Sequence, residues 1–193
     1  MKKLEVVLMV RRLSYDKKNM KIIQKILKST NKKCQKIYFD NETGYYYGTD
    51  GYRMVRIDSR EMTGAELPMF DEREEHYNCV TMVKNAADKN YTELFVPYTV
   101  EQIKEWNKNE KKNKRRTPFT LGVKCHITSG SSFWIGINPT FLIDAIETTG
   151  SNYIKIPDTG CTMLMEGKGY LWLIMPIRCE EWEHNKKMTE IEI

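Results

Sequence analysis

The sequence predicts an α+β fold in which antiparallel sheets carry a small number of helices. Short apolar runs alternate with turn residues, and the turn DNETG followed by the aromatic run GYYYGT is a typical β-hairpin signal. Helical spacing of apolar residues is confined to a few short segments. Two segments, LFVPYTVEQIKEW and IGINPTFLIDAIE, share the order strand, X-Pro and amphipathic helix. This echo is explained either by a common local arrangement or by two related units.

The N-terminal third is predicted to contain two strands, a helix and the hairpin. Leu4–Val10 is rich in β-branched residues and predicts a strand. Apolar residues recur at helical spacing between Met20 and Leu27, with lysines on the other face and Asn19 as the N-cap. A further strand near Gln35–Phe39 leads into the DNETG turn.

The middle of the chain is less regular. Residues 62–90 are polar and mixed, and we interpret them as loops around a short strand at VTMV. Thr99 then precedes the helix TVEQIKEW, with Gln102 three residues on, which is the pattern of a capping box. A basic run, Lys108–Arg116, follows, and FTLGVKCHIT and SSFWIGI predict two strands.

The C-terminal part begins with a well-marked helix. Asn138 suits the N-cap, Pro139 the first helical position and Gly150 the end of the helix. Three strands follow at YIKI, CTMLM and YLWLIMPI, the last two joined by the turn EGKG. The residues after Arg178 are expected to form a polar tail or a short helix.

Composition indicates a cytoplasmic protein without a membrane span. The chain has 193 residues, 40% hydrophobic and 30% charged, which suits a globular protein with a sizeable core. No apolar run approaches the roughly 20 residues that a membrane helix needs, and no signal peptide is visible at the N-terminus. The five cysteines are scattered without a CxxC pair, so we expect reduced thiols and neither disulfides nor a zinc site.

No constellation of catalytic or metal-ligating residues is found, and we expect a protein that is not an enzyme and needs no cofactor or metal. The histidines are His76, His126 and His184, and none lies at ligand spacing from another ligand. Cys125 and His126 are adjacent on a predicted strand and would point to opposite faces. We interpret the acidic cluster at 71–75 as a solvated surface.

Two segments resemble the bacterial DNA polymerase III sliding clamp (β subunit) family. The first is the TDGYRM turn, Thr49–Met54, which is similar to an ATDGHRL-type turn in that family. The second is INPTFLIDAI together with YLWLIMPIR, similar to a run that closes the last domain of the clamp. The resemblance implies a DNA clamp-like fold, with antiparallel sheets and paired helices packed on one face.

The resemblance also implies binding sites. In the family, clamp-binding peptides of polymerases and repair proteins enter an apolar cleft between these two segments. Gly51 would permit the tight turn, Met54 and Met175 would line an adaptable groove, and Arg53 and Arg178 would form its rim. One wall of the cleft would be Thr49, Gly51, Tyr52, Arg53 and Met54, and the other Leu173, Ile174, Met175, Pro176, Ile177 and Arg178.

A net charge of +5 and clustered lysines suit non-specific binding to double-stranded DNA, although a basic run is equally well explained as a solvated loop. In ring clamps, helices line the hole and hold DNA through phosphate contacts, which implies salt-dependent affinity. The candidates are Lys21, Lys25, Lys28, Lys104, Lys111, Lys112, Lys114, Arg115 and Arg116.

The sequence departs from the family in three respects. Tyr52 replaces the usual His of the turn, the tail after Arg178 is longer, and the chain is too short for a three-domain subunit. We predict a clamp-like unit at 1–118, a second, truncated unit at 119–178 and a tail at 179–193. The alternative is one clamp domain with an insertion near 63–132.

Two functions follow as expectations. The first is a processivity factor in DNA replication that binds peptides of polymerase or repair partners and encircles DNA as a homo-oligomer. The alternative is an adaptor or decoy, from a phage or mobile element, that binds replication proteins without encircling DNA.

Overall fold

The computed structural model describes residues 21–22, 24–26, 36–40, 42–61, 79–113, 118–126, 132–157, 162–179 and 191–192. Residues 21, 22 and 24–26 are helical and are called here the N-terminal helical segment. The helices are α1 Cys79–Ala87, α2 Val100–Lys112 and α3 Pro139–Thr149, with a 3-10 turn at Ser59–Glu61. The strands are β1 Lys36–Asp40, β2 Tyr45–Thr49, β3 Arg53–Asp58, β4 Tyr91–Phe95, β5 Phe119–His126, β6 Ser132–Ile137, β7 Tyr153–Pro157, β8 Met163–Gly167, β9 Tyr170–Ile174, β10 Ile177–Cys179 and β11 Ile191–Glu192.

The strands form two sheets, and the predicted α+β class is confirmed. The larger sheet has seven antiparallel strands in the order β1-β2-β3-β9-β8-β7-β4. The smaller sheet has the order β10-β6-β5-β11 and is antiparallel except for the pair β11 and β5.

Six strands of the larger sheet form two similar halves. In each half, helical residues precede three antiparallel strands: the N-terminal helical segment precedes β1-β2-β3, and α3 precedes β7-β8-β9. The halves meet where β3 pairs antiparallel with β9. This repeat differs from the strand–Pro–helix echo of the sequence, because α2 is followed by β5 and β6 of the other sheet.

The main hydrophobic core lies on the face of the larger sheet that carries Val55, Ile57, Trp172 and Ile174. Helices α2 and α3 pack there as a pair and contribute side chains such as Ile103, and the smaller sheet contributes β5 and β6 residues. Alternation along the strands sends the next residues to the opposite face, the outer face. The outer face carries a separate apolar cluster that includes residues of α1.

The helix ends follow the predicted chemistry. Thr99 Oγ1 accepts a hydrogen bond from Gln102 N at 3.2 Å, and Gln102 Oε1 accepts from Thr99 N at 2.9 Å, which confirms the capping box. Asn138 caps α3, with Pro139 in its first turn. Gly150 ends α3 at a φ of 67°, in the left-handed region that glycine enters without a steric penalty.

Three predicted elements differ from the structure. VTMV is not a strand: it belongs to α1, because Cys79, Val83 and Ala86 recur at helical spacing and bury one face. Helix α2 continues to Lys112, so the start of the basic run is helical and not a loop. YLWLIMPI divides into β9 and β10, and β10 pairs with β6 of the other sheet.

Several predictions fall outside the described residues: the strand at Leu4–Val10, the cap at Asn19, the acidic cluster at 71–75 and most of the tail. The described end of the tail, β11, is a strand and not a helix. The larger sheet takes strands from both sides of position 118. The division into two units, and the alternative of an insertion, stay predictions.

Candidate functional site

Parts of the two segments that resemble the sliding clamp lie side by side in the larger sheet, where β3 follows the TDGYRM turn and β9 is the YLWLI stretch. Arg53 lies opposite Ile174 and Met54 opposite Leu173, although each pair is separated by about 120 residues of sequence. One further backbone bond extends the pairing beyond the strands, because Met175 N donates to Tyr52 O at 2.9 Å. The TDGYRM turn and the C-terminal end of β9 therefore lie next to each other at one end of these two central strands.

Asp50 organises the turn between β2 and β3. Its Oδ1 accepts hydrogen bonds from the backbone N–H groups of Tyr52 and Arg53, both at 3.0 Å. Thr49 Oγ1 adds a second local contact by donating to Arg53 O at 2.9 Å and accepting from Gly51 N at 3.1 Å. Gly51 has a φ of 84°, so a residue without a Cβ suits this position. The turn is thus held by side chains of its own sequence.

Arg53 links this turn to the helices. Its Nε donates to Asp50 Oδ2 at 3.1 Å and its Nη1 to Asp144 Oδ2 at 2.8 Å. Asp144, on α3, also pairs through Oδ1 with Lys25 of the N-terminal helical segment. The guanidinium carbon of Arg53 lies 4.3 Å from the centroid of the Phe141 ring. Arg53 is 6% exposed and lies in the interior, not at the rim that the resemblance implied.

The predicted cleft residues divide into a buried and an exposed group. Three residues of the exposed group have large hydrophobic side chains: Tyr52 is 53% exposed, Met175 45% and Ile177 40%. These three side chains are called here the exposed patch. The buried group contains Thr49, Arg53, Met54, Leu173 and Ile174.

Arg178 and Pro176 complete the predicted second wall. Arg178 is exposed on β10, and its guanidinium carbon lies 4.7 Å from the centroid of the Phe133 ring. Pro176 is half-buried and separates β9 from β10. Arg178 carries a positive charge and directly follows Ile177, a residue of the exposed patch, in the sequence.

The structure places the DNA-binding candidates in three situations. Lys21, Lys111 and Lys112 are exposed. Lys25 is paired with Asp144, and Lys104 Nζ lies 2.5 Å from Glu147 Oε1 of α3. The remaining candidates, which lie outside the described residues, are Lys28, Lys114, Arg115 and Arg116.

The hydrogen bond to Glu147 raises the pKa of Lys104, and burial opposes it. Lys104 thus remains positively charged, but its charge is compensated by a carboxylate on the neighbouring helix. Two of the lysines chosen from the sequence consequently have acidic partners on α3.

Comparison with known proteins finds no matching family model and no curated relative. The similar solved structures include two beta subunits. One is assigned as a DNA polymerase III beta subunit from Eubacterium rectale, with 11% identity and a TM-score of 0.43. The other is the DNA polymerase III beta subunit from Thermotoga maritima, with 15% identity and a TM-score of 0.34. Each match covers 69% of this chain; it spans 54% of the first structure's chain and 41% of the second's.

The described residues were also compared with the requirements of a metal site and of a membrane-spanning helix. No group of three or more acidic, His or Cys side chains that could hold a metal ion occurs among them. No helix in the described ranges is long and apolar enough to cross a membrane. Cys79 and Cys125 are buried, and Cys179 is half-buried.

The sequence analysis did not identify Asp144 as a partner of Arg53, and it did not predict that α1 packs on the outer face of the larger sheet. Asp144 lies within the INPTFLIDAI segment, and an acid on the apolar face of a helix is a signal that could have identified a buried ion pair.

Proposed function

We propose that this chain is a sliding-clamp-like replication protein that binds clamp-binding peptides of DNA polymerase or repair proteins. The observation that carries the proposal is the pairing of β3 with β9, which joins the TDGYRM turn to the IMPIR segment. The exposed patch offers three large hydrophobic side chains, and two of them, Tyr52 and Met175, are joined by a backbone hydrogen bond at this end of the β3–β9 pair. Large exposed aromatic and Met side chains are typical of binding surfaces for short peptides.

The exposed patch has the chemistry of a surface that accepts an apolar anchor residue of a peptide. Met175 is flexible and Tyr52 combines a large apolar ring with a hydroxyl, so together they suit an apolar side chain with a polar neighbour. Arg178 supplies a cation for an acidic position of the peptide. The protein would act by binding and not by catalysis.

Titration with a fluorescein-labelled clamp-binding peptide tests this function. We expect the double variant Tyr52→Ala with Met175→Ala to lose at least tenfold in affinity, about 1.4 kcal/mol. Phe39→Ala is the matched control, because Phe39 is exposed on β1 at the far edge of the same sheet. Equal affinities for the three proteins would remove the patch from the proposal.

Encirclement of DNA by an oligomer is the more specific form of this proposal. It predicts retention on circular but not on linear DNA and a species larger than a monomer by light scattering. A purely monomeric chain would exclude a ring and leave the alternative, a clamp-domain adaptor or decoy. The pairing of Lys25 and Lys104 with acids of α3 favours the adaptor, because it reduces the charge available for phosphates.

A further inference from the structure

The outer face of the larger sheet contains two predicted cleft residues that are not accessible. Met54 and Leu173 lie in the outer apolar cluster together with Leu164 and Leu171. The same cluster contains Cys79 and Ala86 of α1, and Val80 and Val83 pack against it. Helix α1 therefore covers the part of the surface that continues inward from the exposed patch.

The covered and exposed parts adjoin each other. Met54 lies opposite Leu173 in the β3–β9 pair, and Met175 lies two residues beyond Leu173. The hydrogen bond from Met175 N to Tyr52 O continues this pairing to the two exposed residues. Removing α1 would join Met54 and Leu173 to the exposed patch and produce a longer apolar surface.

Helix α1 is built to be displaceable. Among its described residues, Val80, Thr81, Val83 and Asn85 have low helix propensity. Helix α2 is held by a capping box and by an ion pair to α3.

The apolar cluster under α1 is separate from the main core. The core on the other face contains Val55, Trp172 and the residues of α2 and α3, and none of the α1 residues. Opening of α1 would consequently expose the outer cluster and leave the main core intact. Elements with few contacts to the core open at a lower free-energy cost than the global unfolding.

We infer that α1 is an internal competitor that occupies the inner part of the peptide-binding surface and must be displaced by a partner peptide. This inference rests on the proposed peptide binding and adds a regulatory step to it. The partner is an apolar peptide segment that replaces the side chains of α1 on Met54 and Leu173. The apparent affinity is then reduced by the fraction of molecules in which α1 is docked.

A proline in α1 tests the inference at a position whose own side chain is exposed and is not part of the outer apolar cluster. Lys84 is exposed in the last turn of the helix, where proline lacks the backbone N–H of a helical hydrogen bond and its ring clashes with the preceding turn. Lys84→Pro therefore disrupts α1, and Lys84→Ala is the matched control. We expect Lys84→Pro to bind the fluorescein-labelled clamp-binding peptide at least fivefold more tightly than Lys84→Ala. Equal affinity of the two variants overturns the inference and leaves the proposed function intact.

Hydrogen exchange on the unmodified chain provides the second measurement and does not depend on how well the variants fold. Saturating peptide should accelerate amide exchange in α1 while it protects β3 and β9. Unchanged or slower exchange in α1 overturns the competition. Absence of peptide binding to the unmodified chain and to Lys84→Pro alike would overturn the proposed function and this inference together.

Discussion

Arg53 Nη1 donates a hydrogen bond to Asp144 Oδ2 at 2.8 Å, and this contact joins the TDGYRM turn to helix α3. Both side chains are buried, and each has a second partner of opposite charge, Asp50 for Arg53 and Lys25 for Asp144. Through Asp50, the same network holds the backbone N–H of Tyr52. The backbone of Tyr52 is thus linked, through Asp50 and Arg53, to a helix carboxylate 91 positions from Arg53.

Replacement of Asp144 by Ala is expected to destabilise the fold strongly. The substitution leaves the buried guanidinium of Arg53 with one carboxylate instead of two, and breaking a buried ion pair in this way costs about 3–5 kcal/mol. Urea unfolding measures the change. Glu147→Ala, which breaks the exposed pair with Lys104, is the control and should cost about 1 kcal/mol or less. Similar losses for both variants would contradict a structural role for the buried network.

Local chemistry was sufficient to predict much of the fold. Helix ends are defined by contacts between residues a few positions apart, so the residue types and their spacing are sufficient to predict them. The examples are Thr99, Gln102, Asn138 and Gly150. The DNETG turn likewise predicts the β1–β2 hairpin. Elements whose conformation depends on distant partners were harder to predict.

Helix α1 is the clearest case of such dependence. Its VTMV stretch has the β-branched composition of a strand, and only the outer face of the sheet selects the helix by burying Cys79 and Ala86. The site shows the same limit. The resemblance indicated which two segments belong together, but Arg53 is buried through its contacts with Asp144 and Phe141. The sequence marks Asp144 as an acid on an apolar helix face and does not show which basic residue pairs with it.

The capping box of α2 offers a local test of stability. Thr99→Ala removes the acceptor for Gln102 N and is expected to lower the free energy of unfolding by about 1 kcal/mol. Thr99→Ser keeps the hydroxyl and should retain most of the stability. Chemical denaturation of the two variants makes the comparison, and an equal loss in both would show that the hydroxyl does not stabilise the helix.

The charge of Lys104 should become available to DNA when its partner is neutralised. Glu147→Gln keeps the shape of the side chain but removes the carboxylate that faces Lys104. We expect tighter binding to duplex DNA by fluorescence anisotropy and a steeper dependence of log K on log salt, by roughly 0.9 for one added phosphate contact. Glu166→Gln, at the Lys155 pair on the outer face of the sheet, is the control. No difference between the two variants would exclude α2 from the DNA-binding surface.

Stability should decrease at alkaline pH because of the buried tyrosine Tyr47. Burial raises the pKa of the Tyr47 phenol above its ordinary value of 10.0, against the opposing hydrogen bond with Thr43. The folded state therefore binds the phenolic proton more tightly than the unfolded state. The resulting stabilisation is complete below the pKa of the unfolded chain and decreases as the pH rises through the higher folded pKa.

Urea unfolding at neutral pH and above pH 10 measures this contribution. The Tyr47→Phe variant retains the ring in the outer cluster but has no proton to lose, so it should show a smaller alkaline loss than the unmodified chain. Tyr153→Phe, at an exposed tyrosine, is the control and should behave like the unmodified chain. An identical alkaline loss in Tyr47→Phe and Tyr153→Phe would show that ionisation of Tyr47 does not limit stability.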